Sequence, residues 1–161
     1  MLVLVGCAAM PDPDHASGAS ARHDDEQELR AALAQWIDGW SPGTDTWTGE
    51  QLRPLYAAGP RAIRVFDNVE GDVVDLRSFA AYQAEWTAMM APMRDWEIAL
   101  VEPAEVRVAG DMAYATFIFE GGEDPSHGDA VRIRQYGTLV WERQGSDWVI
   151  THEHLTAGTV R

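Results

Sequence analysis

The side chains best suited to chemistry are the two histidines of Trp148-Val149-Ile150-Thr151-His152-Glu153-His154-Leu155-Thr156. An imidazole changes charge near neutral pH, so on a pocket wall it can exchange a proton with a bound small molecule. Strict strand alternation predicts that Trp148, Ile150, His152 and His154 share one face and that Glu153 points away. His152 is then the candidate general acid or base, with His154 in support. The same pair also serves as an ordinary structural pair when it hydrogen-bonds to backbone or to a helix acid. Neutral imidazoles bind zinc, but no third ligand stands at a suitable spacing, so no metal and no cofactor are expected.

Other candidates are weaker. Asp67 or Glu153 could orient an imidazole if either lay close. Asp124, His127 and Asp129, with Glu120 and Glu123 nearby, occupy a Gly-containing polar stretch that reads as a solvated loop rather than a cation site. Tyr56 and Asp38 are loose possibilities for an isomerase set of acidic base and hydroxyl donor. Nothing in the chain matches a Gly-rich phosphate loop or a Gly-x-Ser-x-Gly elbow, which sets aside nucleotide and serine-hydrolase readings.

The elements that must position these residues follow from periodicity. Leu29, Leu33, Trp36, Ile37 and Trp40 recur at helical spacing from Asp24 until Ser41-Pro42-Gly43. Thr48 and Gln51 fit a capping box that opens a short second helix. Ala62 to Phe66 predicts a strand, and Phe79, Tyr82, Trp86, Met89 and Met93 a third helix that Pro92 begins to end. From Trp96 the texture is β: Trp96 to Val108, Met112 to Glu120, Ala130 to Arg143 and Trp148 to Thr156, the last two joined by a turn at Gly145. Helices first and strands afterwards argue for an α+β fold.

Composition bounds the function. The chain has 161 residues, 46% of them hydrophobic and seven of them Trp, which suits one domain with one core. Twenty-six acids stand against twelve basic residues, all arginine, for a net charge of -14. Such a surface repels phosphate backbones and anionic headgroups, so nucleic acid is excluded as a partner.

Three regions are expected. Residues 1–7 end in Leu4-Val5-Gly6-Cys7, similar to the lipobox of bacterial lipoproteins, with Cys7 as the lipidation site after a signal that reads as truncated. Residues 8–23 are small, polar and Pro-containing and read as a disordered tether. Residues 24–161 form the domain. This places the protein in the cell envelope, held to the membrane only through a lipid, if the true start lies upstream, and in the cytoplasm otherwise.

The order of elements, the spacing of Trp141 and Trp148, the ending His152-x-His154 and the distance from Trp86 to the strand carrying Thr116 resemble the nuclear transport factor two-like superfamily, in particular its SnoaL-like branch. They are also similar to the association domain of calcium/calmodulin-dependent protein kinase type two. The resemblance covers roughly residues 25 to 158. It implies a cystatin-like cone, a curved antiparallel sheet with three helices packed on its concave face, enclosing a pocket. In the association-domain relatives, positions aligned with Trp86, Thr116 and Leu139 face that pocket. The last two are arginines there, so their anion chemistry is not carried over to Thr116 and Leu139.

Hairpin register predicts Trp141 opposite Ile150, Leu139 opposite His152 and Gly137 opposite His154, with Gly137 leaving empty space beside an imidazole. Arg132, Arg134 and Tyr136 fall on the other face, where relatives pair. The expected function is binding of a small, largely apolar molecule by Tyr82, Trp86, Thr116, Gln135, Leu139 and His152. The alternatives are an isomerase, dehydratase or cyclase using His152, or a homodimerising assembly module.

Overall fold

The computed structural model describes residues 13–60, 62–68, 73–124 and 131–157. Cys7, His127 and Asp129 lie outside these. Helix α1 spans Pro13–Gly39, and a 3-10 helix follows at Glu50–Leu55. Strands β1 (Arg64–Asp67) and β2 (Val74–Leu76) precede helix α2 (Phe79–Met90). Then come β3 (Glu97–Leu100), β4 (Glu105–Ala109), β5 (Met112–Gly122), β6 (Arg132–Gln144) and β7 (Asp147–Ala157). The fold is α+β, with helices on a curved open sheet.

Helix α1 begins upstream of the expected Asp24, and Pro13 sits at its first helical position, where the missing N–H costs no hydrogen bond. Ala16, Ala19 and Ala21 favour helix, and that propensity prevails over the small, polar character that suggested a tether. Leu29, Leu33, Trp36 and Trp40 form its buried stripe, as the spacing predicts. Helix α2 is capped by Ser78, whose Oγ accepts from the Ala81 N–H at 3.2 Å. Phe79, Tyr82, Trp86 and Met90 are its buried face.

The capping box at Thr48 is corrected. The cap residue is Gly49, at φ 72°, and Thr48 Oγ1 accepts only from the Glu50 N–H at 3.4 Å, with no reciprocal bond from Gln51. Gln51 turns instead to the end of α1, donating from Nε2 to the Gly39 carbonyl at 2.8 Å. An open carbonyl at a helix terminus is a stronger claim on that amide than a reciprocal cap.

The seven-stranded sheet runs β2-β1-β7-β6-β5-β3, and β4 pairs with β5 beside β3. Every pairing is antiparallel except that of β1 with β7, which is parallel. The predicted strand from Trp96 to Val108 is two strands, divided by the segment containing Pro103. Inward residues alternate cleanly along β5: Ala113, Ala115, Phe117 and Phe119 are buried. On β6 they are Gln135, Gly137, Leu139 and Trp141.

The register of β6 with β7 decides which side chains face the helices. Trp141 lies opposite Ile150 as expected, but Val140 lies opposite His152, so Thr151 is an extra residue at a β-bulge. A bulge shifts the two-residue period by one. Beyond it Leu139 faces Glu153 and Gly137 faces Leu155. Glu153 and Leu155 are therefore inside, while His152 and His154 lie on the outer face. No space is left beside Gly137: a Cβ there would stand 2.4 Å from the Phe117 ring, which fills it.

Candidate functional site

Between the helices and the concave face of the sheet lies a cavity of about 620 Å³. Trp36 and Trp40 from α1, Trp86, Met89 and Met93 from α2 and its following turn, Trp96 just before β3, and Ile98 and Phe119 from the sheet make most of its wall. Two polar side chains of the wall are almost fully buried, Asp67 and Gln135, each 3% exposed. The Gln135 amide donates to Asp67 Oδ1 at 3.4 Å. Asp67 reaches the cavity because Val65 and Asp67 continue the inward face of β1 after the buried Ile63. Arg132 and Arg134 stand on the same wall, where β6 begins.

Behind Trp36 is a second polar group that sequence reasoning missed. Glu153 is fully buried, and its Oε2 accepts from Trp36 Nε1 at 3.3 Å, from Tyr82 Oη at 3.5 Å, and from the Tyr56 hydroxyl in a very short contact. The two tyrosine hydroxyls are 3.0 Å apart, and Trp36 Nε1 also reaches Tyr56 Oη at 2.9 Å. Burial pushes the Glu153 carboxyl up to about 8, and the nearby Asp67 charge adds to the rise against the hydrogen bonds that lower it. Burial thus favours the proton-bearing form of Glu153 near neutral pH. Burial also drives both tyrosines well above their ordinary range.

Glu153 and Asp67 belong to the same inner surface. In the parallel β1–β7 ladder Val65 pairs with Glu153 and Asp67 with Leu155, which puts the carboxyls one inward position apart. Trp36 joins the two groups, since its ring lines the cavity and its N–H serves the buried acid. The sequence carried a sign of this. The buried residues Trp148 and Ile150 are even-numbered and Leu155 is odd-numbered, so the apolar pattern itself demands one extra residue between them.

The expected site residues divide three ways. Trp86 and Gln135 line the cavity. Tyr82 and Leu139 face inward but are sealed in the core, Tyr82 within the Glu153 cluster and Leu139 opposite Glu153. The inward placement of Thr116, His152 and His154 is corrected. Thr116 is on the exposed parity of β5, paired with Thr138, because Ala115 and Phe117 take the inner face. His152 and His154 are turned outward by the bulge and flank Phe66, with ring centroids 5.9 and 6.5 Å away.

On that outer face the His152 imidazole is lowered from its ordinary range by partial burial, by His154 and by Arg64. Tyr136 shares this side of the sheet, as expected, whereas Arg132 and Arg134, expected here too, line the cavity where β6 begins, Arg134 pairing with Glu120 at 2.8 Å. Asp38 is exposed on α1. Among the described residues no group of three or more His, Cys, Asp or Glu could hold a metal ion, and no helix is long and apolar enough to cross a membrane.

Solved structures share this architecture. A nuclear transport factor 2-like protein of unknown function from Pseudomonas putida is 24% identical with a TM-score of 0.68, over 86% of this chain and 89% of that one. A protein from Streptomyces avermitilis, described as a candidate dehydratase of the same family, is 19% identical with a TM-score of 0.64, over 86% and 99%. The association domain of calcium/calmodulin-dependent protein kinase II from C. elegans is 14% identical with a TM-score of 0.56, over 84% and 97%. At these identities the likeness establishes the fold alone. No curated protein matches the chain. The SnoaL-like domain family matches residues 61–158, more than half of the sequence, and the chain belongs to that family.

Proposed function

We propose that this domain binds a small, largely apolar molecule in the cavity between its helices and its sheet, with Asp67 and Gln135 as the polar anchors. One observation carries the reading: a 620 Å³ space walled by four indoles also presents two buried polar side chains. Apolar walls with a few convergent polar groups are the usual make-up of a ligand site. A void of this kind that served packing alone would forfeit contact energy on every wall.

The test is native mass spectrometry after exposure to a mixed small-molecule library. Wild type should retain ligand, and so should His152→Ala, whereas Met93→Trp at the cavity wall should lose it. Retention untouched by Met93→Trp, or no retention at all, would overturn the reading.

An acid–base enzyme of the isomerase, dehydratase or cyclase type is the second reading, favoured by a specific observation. A carboxyl on the cavity wall, Asp67, lies one inward position from an acid whose burial favours its proton-bearing form near neutral pH. In this form the proton acceptor is Asp67 rather than His152. Turnover would appear in the same library experiment as products of unchanged mass or of mass lower by one water, and Asp67→Asn would abolish them while leaving neutral ligands bound.

Two further elements belong to the proposal. Leu4-Val5-Gly6-Cys7 supports a lipid anchor at Cys7 and an envelope location, tested by labelling with a palmitate analogue in cells expressing the gene with its upstream codons and comparing Cys7→Ala. Pairing of two copies through the outer face of the sheet, around Tyr136, His152 and His154, is compatible with ligand binding. Sedimentation of wild type against Thr138→Arg, also on that face, tests it.

A further inference from the structure

The Trp36 indole stands between the cavity and two hydrogen-bond acceptors. Its N–H lies 2.9 Å from Tyr56 Oη and 3.3 Å from Glu153 Oε2, and its ring is part of the cavity wall. That ring meets Phe117 and Phe119 edge to face at centroid distances of 5.5 and 5.8 Å and Trp40 at 6.1 Å, and Trp40 and Phe119 are wall residues too. Close-packed rings transmit a shift rather than absorb it. Whatever holds this N–H therefore shapes the space in front of the ring.

What holds it depends on a proton. The hydrogen bonds of Glu153 converge on Oε2, from Trp36 Nε1, Tyr56 Oη and Tyr82 Oη, while Oε1 has no partner among the described residues. A carboxylate so placed keeps one oxygen unsolvated, at a large cost in the interior. It also draws the indole N–H toward itself in a charge-assisted bond. As an acid, Glu153 instead gives its proton to Tyr56 Oη. The two lone pairs of that oxygen accept both this proton and the indole N–H, and the tyrosine's own hydrogen goes to Tyr82 Oη at 3.0 Å.

The surroundings give the ligand a preference between the two forms. Glu153 faces the Tyr56 and Tyr82 hydroxyls, Trp36 from α1, Leu139 from β6 and, one inward position along the β1–β7 ladder, the Asp67 carboxyl. None of these is a cation, and Asp67 adds to the cost of ionising Glu153. A molecule seated against Trp36 puts apolar matter on the one side from which a carboxylate behind the ring could gain solvation. Ligand and charge therefore oppose each other, and by linkage ligand and proton assist each other.

We propose that Glu153 is a positioning residue for the cavity: acting through Trp36, it admits ligand in its proton-bearing form and resists it as a carboxylate, so that binding takes up a proton. The inference rests on the cavity being a ligand site and adds the regulation of that site by pH.

Isothermal titration calorimetry with adamantyl ethanol tests it, because this probe has no group that titrates between about pH 6.5 and pH 9. With a free-state midpoint of about 8, wild type should bind about 10-fold more weakly at pH 9 than at pH 6.5. At pH 8, in paired buffers of different ionisation enthalpy, it should take up about half a proton per ligand. Glu153→Gln should take up none, and its affinity should vary by less than about 2-fold over the same range. A wild-type affinity that is flat or rises with pH, or binding without proton uptake, overturns the coupling while the cavity reading stands. The same pH dependence in Glu153→Gln gives the effect to another group and overturns it as well. Should that variant not fold, the wild-type Trp36 indole N–H resonance decides: its shift with pH should have a higher midpoint once ligand saturates the cavity, and a midpoint unmoved by ligand overturns the proposal. Absence of binding at every pH counts against the cavity as a ligand site.

Discussion

The two faces of β7 hold ionisable groups under opposite conditions. Outside, His152 and His154 flank Phe66 and remain within reach of water. Inside, one residue away from each, Glu153 has no exposure and is wrapped by Trp36, Tyr56 and Tyr82. The contrast shows that the bulge at Thr151 decides which chemistry the interior receives from this sequence. With unbroken alternation the interior would hold two imidazoles and the surface an acid. With the bulge it holds a buried carboxyl beside an indole-walled cavity that presents Asp67.

Shifting the register beyond the bulge gives the largest expected effect. Insertion of one alanine between His152 and Glu153 would turn the residues beyond it to the opposite face, exposing Leu155 and burying His154 in the site shaped for Leu155. Loss of packing plus uncompensated polar burial amounts to roughly 5 kcal/mol or more, enough to abolish cooperative unfolding at room temperature, as read by denaturant melts. Deletion of Thr151 removes only the extra residue and keeps every later side chain on its face, so it should cost far less. A well-folded insertion variant would mean the register is not held by the interior.

Next in size is the proton on Glu153. Its folded-state pKa of about 8 lies above the ordinary 4.5, so below pH 4.5 folded and unfolded chains both hold the proton. As pH rises the unfolded chain releases it first, and the stability it confers is lost progressively until pH passes about 8. Glu153→Gln, a neutral acid's near-isostere, removes this term. The variant should gain on wild type by about 1 kcal/mol per pH unit between pH 5 and pH 7.5, measured by urea melts across that window. A constant difference between the two proteins over the window would contradict a buried, protonated Glu153.

A smaller change probes the inner face at Gly137. An alanine Cβ would press on the Phe117 ring, whose edge contacts Trp36 with centroids 5.5 Å apart. Gly137→Ala should cost about 1–3 kcal/mol in a thermal melt through overpacking. On the outer face His152→Ala and His154→Ala should each change stability by less than about 0.5 kcal/mol and leave ligand retention intact. An effect at the histidines as large as that at Gly137 would erase the distinction between the faces.

Much of this architecture was legible. The α1 stripe, the α2 stripe and the alternation of β5 follow from residue spacing, because burial on one face leaves a period that a single sequence displays. The α2 stripe and the alignment with relatives point Trp86 to the cavity, and the alternation of β6 points Gln135 there. Thr116 was misplaced although Ala115, Phe117 and Phe119 mark the opposite parity, since a position carried over from relatives outweighed the local period. Asp67 was considered only as a partner for a histidine, yet it extends the inward run of Ile63 and Val65. Glu153 was hidden by the bulge, whose one trace is the parity change from Ile150 to Leu155. The Glu153 cluster could not be read at all from spacing, because Trp36, Tyr56, Tyr82 and Glu153 come from four separate elements that meet only in three dimensions.

The claim on which the account turns is that small molecules enter the inner cavity and not the histidine face. Nuclear magnetic resonance can watch both at once, following the indole N–H signals of Trp86 and Trp96 and the ring signals of His152 and His154 during titration with adamantyl ethanol. Saturable shifts of the two indoles with the imidazoles unmoved are the predicted result. Saturable shifts of the imidazoles with the indoles unmoved would contradict it.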